Sequence, residues 1–88
     1  MKLQIVPTTL SYNERTHSIF VGYENGHLYQ FDIDSGKKLA ALGSSGSKEI
    51  SNIGFSSISN FLMFSKENQT IIYDISKSNY FLIQKFRC

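Results

Sequence analysis

"IFVGYENGHLYQFDI" runs from Ile19 to Ile33, and "FLMFSKENQTIIYDI" runs from Phe61 to Ile75. Laid one over the other, the two stretches agree at an offset of 42, since Asp74 follows Asp32, and Ile75 follows Ile33, by that interval. The apolar trio Ile19, Phe20, Val21 falls over Phe61, Leu62, Met63, and Tyr29 falls over Ile71. The polar turn Asn25-Gly26 falls over Glu67-Asn68, and Phe31-Asp32 falls over Tyr73-Asp74. Upstream, Leu10 and Tyr12 match Ile53 and Phe55 once one residue is inserted in the first copy. Downstream, "SGKKLAAL" corresponds loosely to "KSNYFLIQKF".

The whole chain reads as strands punctuated by polar turns, with no convincing helix. Period-2 runs, β-branched and aromatic residues, and Gly, Asn and Ser breaks recur throughout. The expected strands are Lys2–Val6, Thr9–Asn13, Ser18–Tyr23, His27–Ile33, Lys38–Leu42, Glu49–Phe55, Asn60–Ser65, Gln69–Ile75 and Tyr80–Phe86. Pro7 is expected in the first connection, where a missing N–H is harmless. Asn25-Gly26 has the residues of a type I′ hairpin turn, and Asn68 offers a positive-φ position in the second copy. Self-similarity at a period near 40–45 residues, with four strands per copy, is the pattern of a β-propeller blade. The expected fold class is therefore all-β, with antiparallel four-stranded blades. Blade one covers about residues 9–42, blade two about 49–86, and 2–6 is read as the outer strand of a preceding blade.

These residues resemble the WD-repeat family, in which a repeat's third strand ends in Trp-Asp. Phe31-Asp32 and Tyr73-Asp74 stand at that position here, and Asn25-Gly26 and Glu67-Asn68 at the turn before it. No Gly-His dipeptide precedes the first strand of either copy, so the family's hydrogen-bonded His, Ser/Thr, Asp, Trp set is not assembled. "GHLYQFDIDSGKKL" also resembles the repeat of quinoprotein-type propellers, but the second copy has "SKSNY" in place of the Gly-Lys turn. The WD-like resemblance implies a non-catalytic scaffold for protein–protein interaction. The alternative implies a fragment of a propeller enzyme.

Composition narrows the function classes. The 88 residues are 41% hydrophobic, 14% aromatic and 18% charged, which suits one small packed unit. A net charge of +2, with Lys37 and Lys38 offset by Asp32 and Asp34, does not make a nucleic-acid footprint. Cys88 is the one cysteine, so intrachain disulfides and Cys-based metal sites are out. A reducing, cytoplasmic compartment is expected. No apolar run is long enough for a membrane-spanning helix, and the first residues lack the apolar core of a secretory signal. "NQT" at Asn68 reads as a turn rather than a glycosylation site. No membrane or nucleic-acid partner is expected, and the expected partners are proteins or further blades.

Catalytic and cofactor signals are also weak. "GSSGSKE" (Gly43 to Glu49) has glycines and a lysine, but the lysine follows a serine and strand sequence resumes after it. A phosphate loop needs Gly-Lys-Ser/Thr opening a helix. His17 and His27 lack an acidic or Cys cluster, and no serine sits in a nucleophile elbow. No catalytic residue, cofactor or metal ligand is assigned. Asn25, Gly26, Phe31, Asp32, Tyr73 and Asp74 are expected as structural repeat positions, with Asp32 and Asp74 accepting backbone N–H bonds from the turns after them. Tyr12, Tyr23 and Tyr29 are expected to pack between blades, with a binding surface as the alternative reading. Two blades leave apolar faces bare, so the chain is expected to belong to a larger propeller or assembly.

Overall fold

The computed structural model describes residues 6–42, 48–56, 60–77 and 80–87. They form β1 (Pro7–Asn13), β2 (Ser18–Tyr23), β3 (Leu28–Asp32), β4 (Lys38–Leu42), β5 (Ile50–Ser56), β6 (Phe61–Lys66), β7 (Gln69–Asp74) and β8 (Phe81–Arg87). Neighbours in sequence pair antiparallel, giving sheet one (β1-β2-β3-β4) and sheet two (β5-β6-β7-β8). No helix occurs among the described residues. The all-β, two-blade architecture is the one the repeat implied. The strand expected over Lys2–Val6 lies outside the described residues except for Val6, whose carbonyl accepts Glu24 N at 3.0 Å. Gly43 to Ser47 of the Gly/Ser-rich stretch lie outside them too.

Pro7 is not in a connection. It opens β1, opposite Tyr23. Proline is tolerated there because the first residue of an edge strand need not donate to the ladder.

The two central hairpins differ by one residue. Between Tyr23 and His27, Gly26 N donates to Tyr23 O at 3.1 Å and Tyr23 N to His27 O at 2.9 Å. Gly26 has φ 90°, whereas Asn25 is not in the positive-φ region. This is a three-residue loop, a type I-like turn followed by a left-handed glycine, rather than the two-residue type I′ turn expected. In sheet two Lys66 pairs directly with Gln69, so the loop has two residues. Its positive φ, 54°, falls on Glu67 rather than Asn68.

Register shows where the copies correspond. Asp32 faces Ser18, and Asp74 faces Phe61. Asn13 faces Ser18, and Ser56 faces Phe61. Ile19 therefore corresponds to Leu62, 43 positions on, while Phe31 corresponds to Tyr73, 42 on. The irregularities repeat as well. β1 shifts register between Pro7 and Thr9, β5 between Ile50 and Asn52. β3 shifts between Gln30 and Phe31, β7 between Ile72 and Tyr73. The extra residue of copy one sits in the Glu24–Gly26 turn, not before β2. The apolar trio thus matches one position later in copy two than the offset of 42 places it.

β5 runs beside β1 and β2, and the core fills the space between the sheets. Phe20, Leu28 and Leu42 of sheet one meet Ile50, Leu62, Phe64, Ile71 and Ile75. The Phe20 and Phe55 rings stand edge-on at 5.1 Å. Burying such a Leu or Phe stabilises the fold by about 1.5–3 kcal/mol each. Gly22 marks the closest approach, because a Cβ added there would lie 2.6 Å from Ile50 Cβ. That distance explains a glycine inside a strand, where it costs chain entropy.

Candidate functional site

The antiparallel meander puts the β1–β2 and β3–β4 connections at one end of sheet one, with those of sheet two at the corresponding end. This loop rim is built from short side-chain bonds to the backbone. Asn13 Oδ1 accepts Thr16 N at 2.9 Å and Thr16 Oγ1 at 2.8 Å. His17 N donates to Glu14 O at 3.2 Å, and His17 takes φ 53°. Asn60, at the equivalent position of sheet two, takes φ 55°. Ile33 N donates to His17 O at 3.3 Å, and Ile75 N to Asn60 O at 3.1 Å. His17 and Asn60 are thus equivalent in backbone conformation and in the carbonyl bond each accepts.

Asp32 and Asp74 close the third strands on this rim. Ser35 donates its N and Oγ to Asp32 Oδ2, both at 2.9 Å. Ser76 donates its N and Oγ to Asp74 Oδ1 at 2.9 and 2.7 Å. These bonds favour the ionised carboxylates, so both pKa values are lowered, Asp32 chiefly by the Ser35 backbone bond and Asp74 chiefly by the Ser76 hydroxyl. Each carboxylate is held by its own turn, an arrangement suited to fixing loops. His17 Nε2 stands 3.3 Å from Asp34 Oδ2, with both side chains more than half exposed. Such an exposed pair contributes little.

Arg15 crosses between the sheets, its Nη2 donating to Ile75 O at 2.7 Å. Beneath it lies a cleft of about 290 Å³. Tyr12, Asn13, Glu14 and Arg15 line it from sheet one, and Phe55, Ser56, Asn60, Phe61 and Ile75 from sheet two. It brings a cation, a carboxylate and two amides side by side. Among the described residues no group of three or more His, Cys, Asp and Glu is placed to hold a metal.

The opposite rim carries Asn25 and Gly26, with Asn25 Oδ1 accepting His27 N at 3.2 Å. Next to it, on sheet one's outer face, His27 stacks on Tyr29 at 5.6 Å, Tyr23 lies 5.3 Å from Tyr29, and Lys38 Nζ sits 4.1 Å over the Tyr29 ring. Burial, and then the neighbouring Tyr29, raise the Tyr23 pKa.

The six repeat positions do not converge. Asn25 and Gly26 sit at one end of sheet one, Phe31 and Asp32 toward the other, and Tyr73 and Asp74 occupy the latter positions in sheet two. Tyr73 stacks against Phe64 at 6.0 Å within the packed interface. Phe31 makes an edge contact with Tyr29 at 6.2 Å on the outer face. The sequence reading missed Arg15, and it missed a buried polar chain. Gln30 Nε2 donates to Ser18 Oγ at 2.8 Å, and Ser18 Oγ lies 2.6 Å from Thr16 Oγ1. Gln30 Oε1 is buried without a partner. The available signal was Gln30's place two residues from Leu28, on the inward parity of β3.

No protein-family model matches the chain, and no curated protein matches it. Among solved structures it is similar to the β-propeller domain of Cps50 (Swd1) from Myceliophteria thermophila. The TM-score is 0.77 at 15% identity, over 96% of this chain. The chain spans 28% of the length of that structure. At this identity the likeness concerns the fold, and it makes the two sheets blades of a β-propeller type.

Proposed function

We propose that the chain is a non-catalytic protein–protein interaction module, two WD-like blades that serve a larger propeller or assembly in the cytoplasm. The cleft on the loop rim carries this reading. It lies between the two sheets, and Glu14 and Arg15 line it beside Phe55. Loops fixed by a rigid scaffold are where propeller specificity resides. The fold alone does not assign a role; the support lies in the cleft's chemistry and in the likeness to a β-propeller domain. The partner it suits is an extended protein segment bearing both charged and apolar side chains.

Affinity capture with the purified chain tests this. Reversing the charge of the cleft with Glu14→Lys should release a captured protein partner. Glu24→Lys, on the opposite rim, should not. Capture that is indifferent to Glu14→Lys and lost with Glu24→Lys would move the site to the other rim. Saturable quinone binding, read by absorbance titration, would instead support an enzymatic propeller.

A further inference from the structure

The two sheets meet through unlike faces. Sheet one contributes Ser11, Phe20, Gly22 and Gln30, which share a face through their cross-strand pairing. Sheet two contributes Ile53, Phe55, Leu62, Phe64, Ile71 and Tyr73. Because the strands correspond residue by residue, each sheet carries the other kind of face on its far side. The far face of sheet one holds Leu10, Tyr12, Ile19, Val21, Tyr29 and Phe31. These occupy, in order, the positions of the six residues sheet two buries, and each is a large apolar or aromatic residue like its counterpart. Leu10 is nevertheless 63% exposed, and Tyr12 48%.

The far face of sheet two is the matching receptor. Gly54, Met63 and Ser65 stand where sheet one's docking face has Ser11, Phe20 and Gly22. A hollow of about 180 Å³ opens there, lined by Asn52, Gly54, Met63 and Ser65 together with Ile53. In the interface within the chain, Ile50 sits on Gly22, and Thr8 Oγ1 reaches both Gly22 O at 3.1 Å and Ile50 O at 2.5 Å. Ser51 is the counterpart of Thr8, and its Oγ donates to Ser65 O at 3.2 Å. Pro7 is the counterpart of Ile50.

We propose that the far face of sheet one docks on the far face of sheet two of a second copy of this chain, so that copies join head to tail. Pro7 of one copy then covers the hollow over Ser65 of the next, and the Ser51 hydroxyl lies beside its carbonyl. The contact repeats the one between the two sheets of a single chain, so every blade is related to the next by the same rotation. A head-to-tail contact closes into a ring when its rotation divides a full turn, as blade-to-blade rotation does in a propeller, and otherwise builds an open filament. A propeller of four to eight blades needs about two to four copies. The inference rests on the blade correspondence; Tyr12 also borders the cleft, whereas Leu10 and Met63 lie outside it and tell the two roles apart.

Light scattering and sedimentation of the native chain over a range of concentrations, combined with two blocking variants, test it. Leu10→Glu with Tyr12→Glu blocks one face, and Met63→Glu blocks the other. The native chain should form a closed oligomer of defined size, and each variant alone should be monomeric. An equimolar mixture of the two variants should form a dimer and nothing larger. A native chain monomeric at every concentration overturns the proposal and leaves both faces to other blades. So does an open-ended polymer, or a dimer lost with the first variant and not recovered on mixing, the mark of two like faces meeting. Circular dichroism checks that the variants fold. Should the double glutamate variant unfold, Leu10→Gln alone keeps the test, with at least a tenfold weaker association expected.

Discussion

Sheets one and two share strand order and register irregularities, yet they bury different halves of themselves. Sheet one packs inward with Phe20, Gly22, Leu28 and Gln30; sheet two packs inward with Leu62, Phe64, Ile71 and Tyr73. Position for position these are opposite faces, because consecutive blades of a propeller stack front to back. One sequence pattern is thus under two demands. Phe20 is fully buried, while its counterpart Met63 is only partly covered. A blade is buried on both sides only when it has neighbours on both sides.

The inward faces should dominate stability. Phe20→Ala removes the ring against Phe55 and opens a cavity, so a loss of about 3–5 kcal/mol is expected by chemical denaturation. Met63→Ala, at the corresponding position, should cost far less in the isolated chain, and more once the far face is covered. Equal costs would break the front-to-back assignment. Gly22→Ala comes next. Its Cβ would meet Ile50 at 2.6 Å, and about 1–3 kcal/mol should be lost to overpacking. Ser65→Ala at the counterpart should be close to neutral.

Two smaller changes each relieve a local misfit. Gln30 is buried with Oε1 unpaired, and its counterpart is Ile72. Gln30→Ile removes an unsatisfied acceptor and should raise stability by about 1 kcal/mol, seen as a Tm increase of roughly 4–8 °C. Glu67 occupies the left-handed region, which asparagine tolerates better. Glu67→Asn should gain less than about 1 kcal/mol.

The smallest expected effect is on pH. Asp32 and Asp74 have depressed pKa values when folded. Their contribution is present above the unfolded aspartate pKa and is lost as pH falls through the lower, folded values. An acid titration of Tm should therefore fall less steeply in Asp74→Asn than in the native chain.

The strands and their echo were legible in the sequence because turn residues and apolar runs recur at a near-constant interval. Seven of the eight observed strands begin within one residue of the expected position, and the eighth, β1, begins two early, at Pro7. The inward and outward faces were not legible. "SIFVGY" is apolar on both parities, as a strand covered on both sides must be, so alternation could not say whether Ile19 or Phe20 points at sheet two. The same ambiguity hid the one-residue difference between the copies. An offset of 42 pairs apolar with apolar in β2 as well as 43 does, and only hydrogen-bond register separates them. The Arg15 bridge and the Ser18–Gln30 chain join residues distant in sequence, and no local pattern announces such contacts.

The correspondence of the sheets turns on which residues of β6 face sheet one. A nuclear Overhauser spectrum of the chain reads this directly. Contacts from the Phe20 ring to the Phe55 ring, with Leu62 and Phe64 facing sheet one and Phe61 and Met63 facing away, are the predicted result. Contacts from the Phe20 ring to Met63, with Leu62 turned outward, would contradict it.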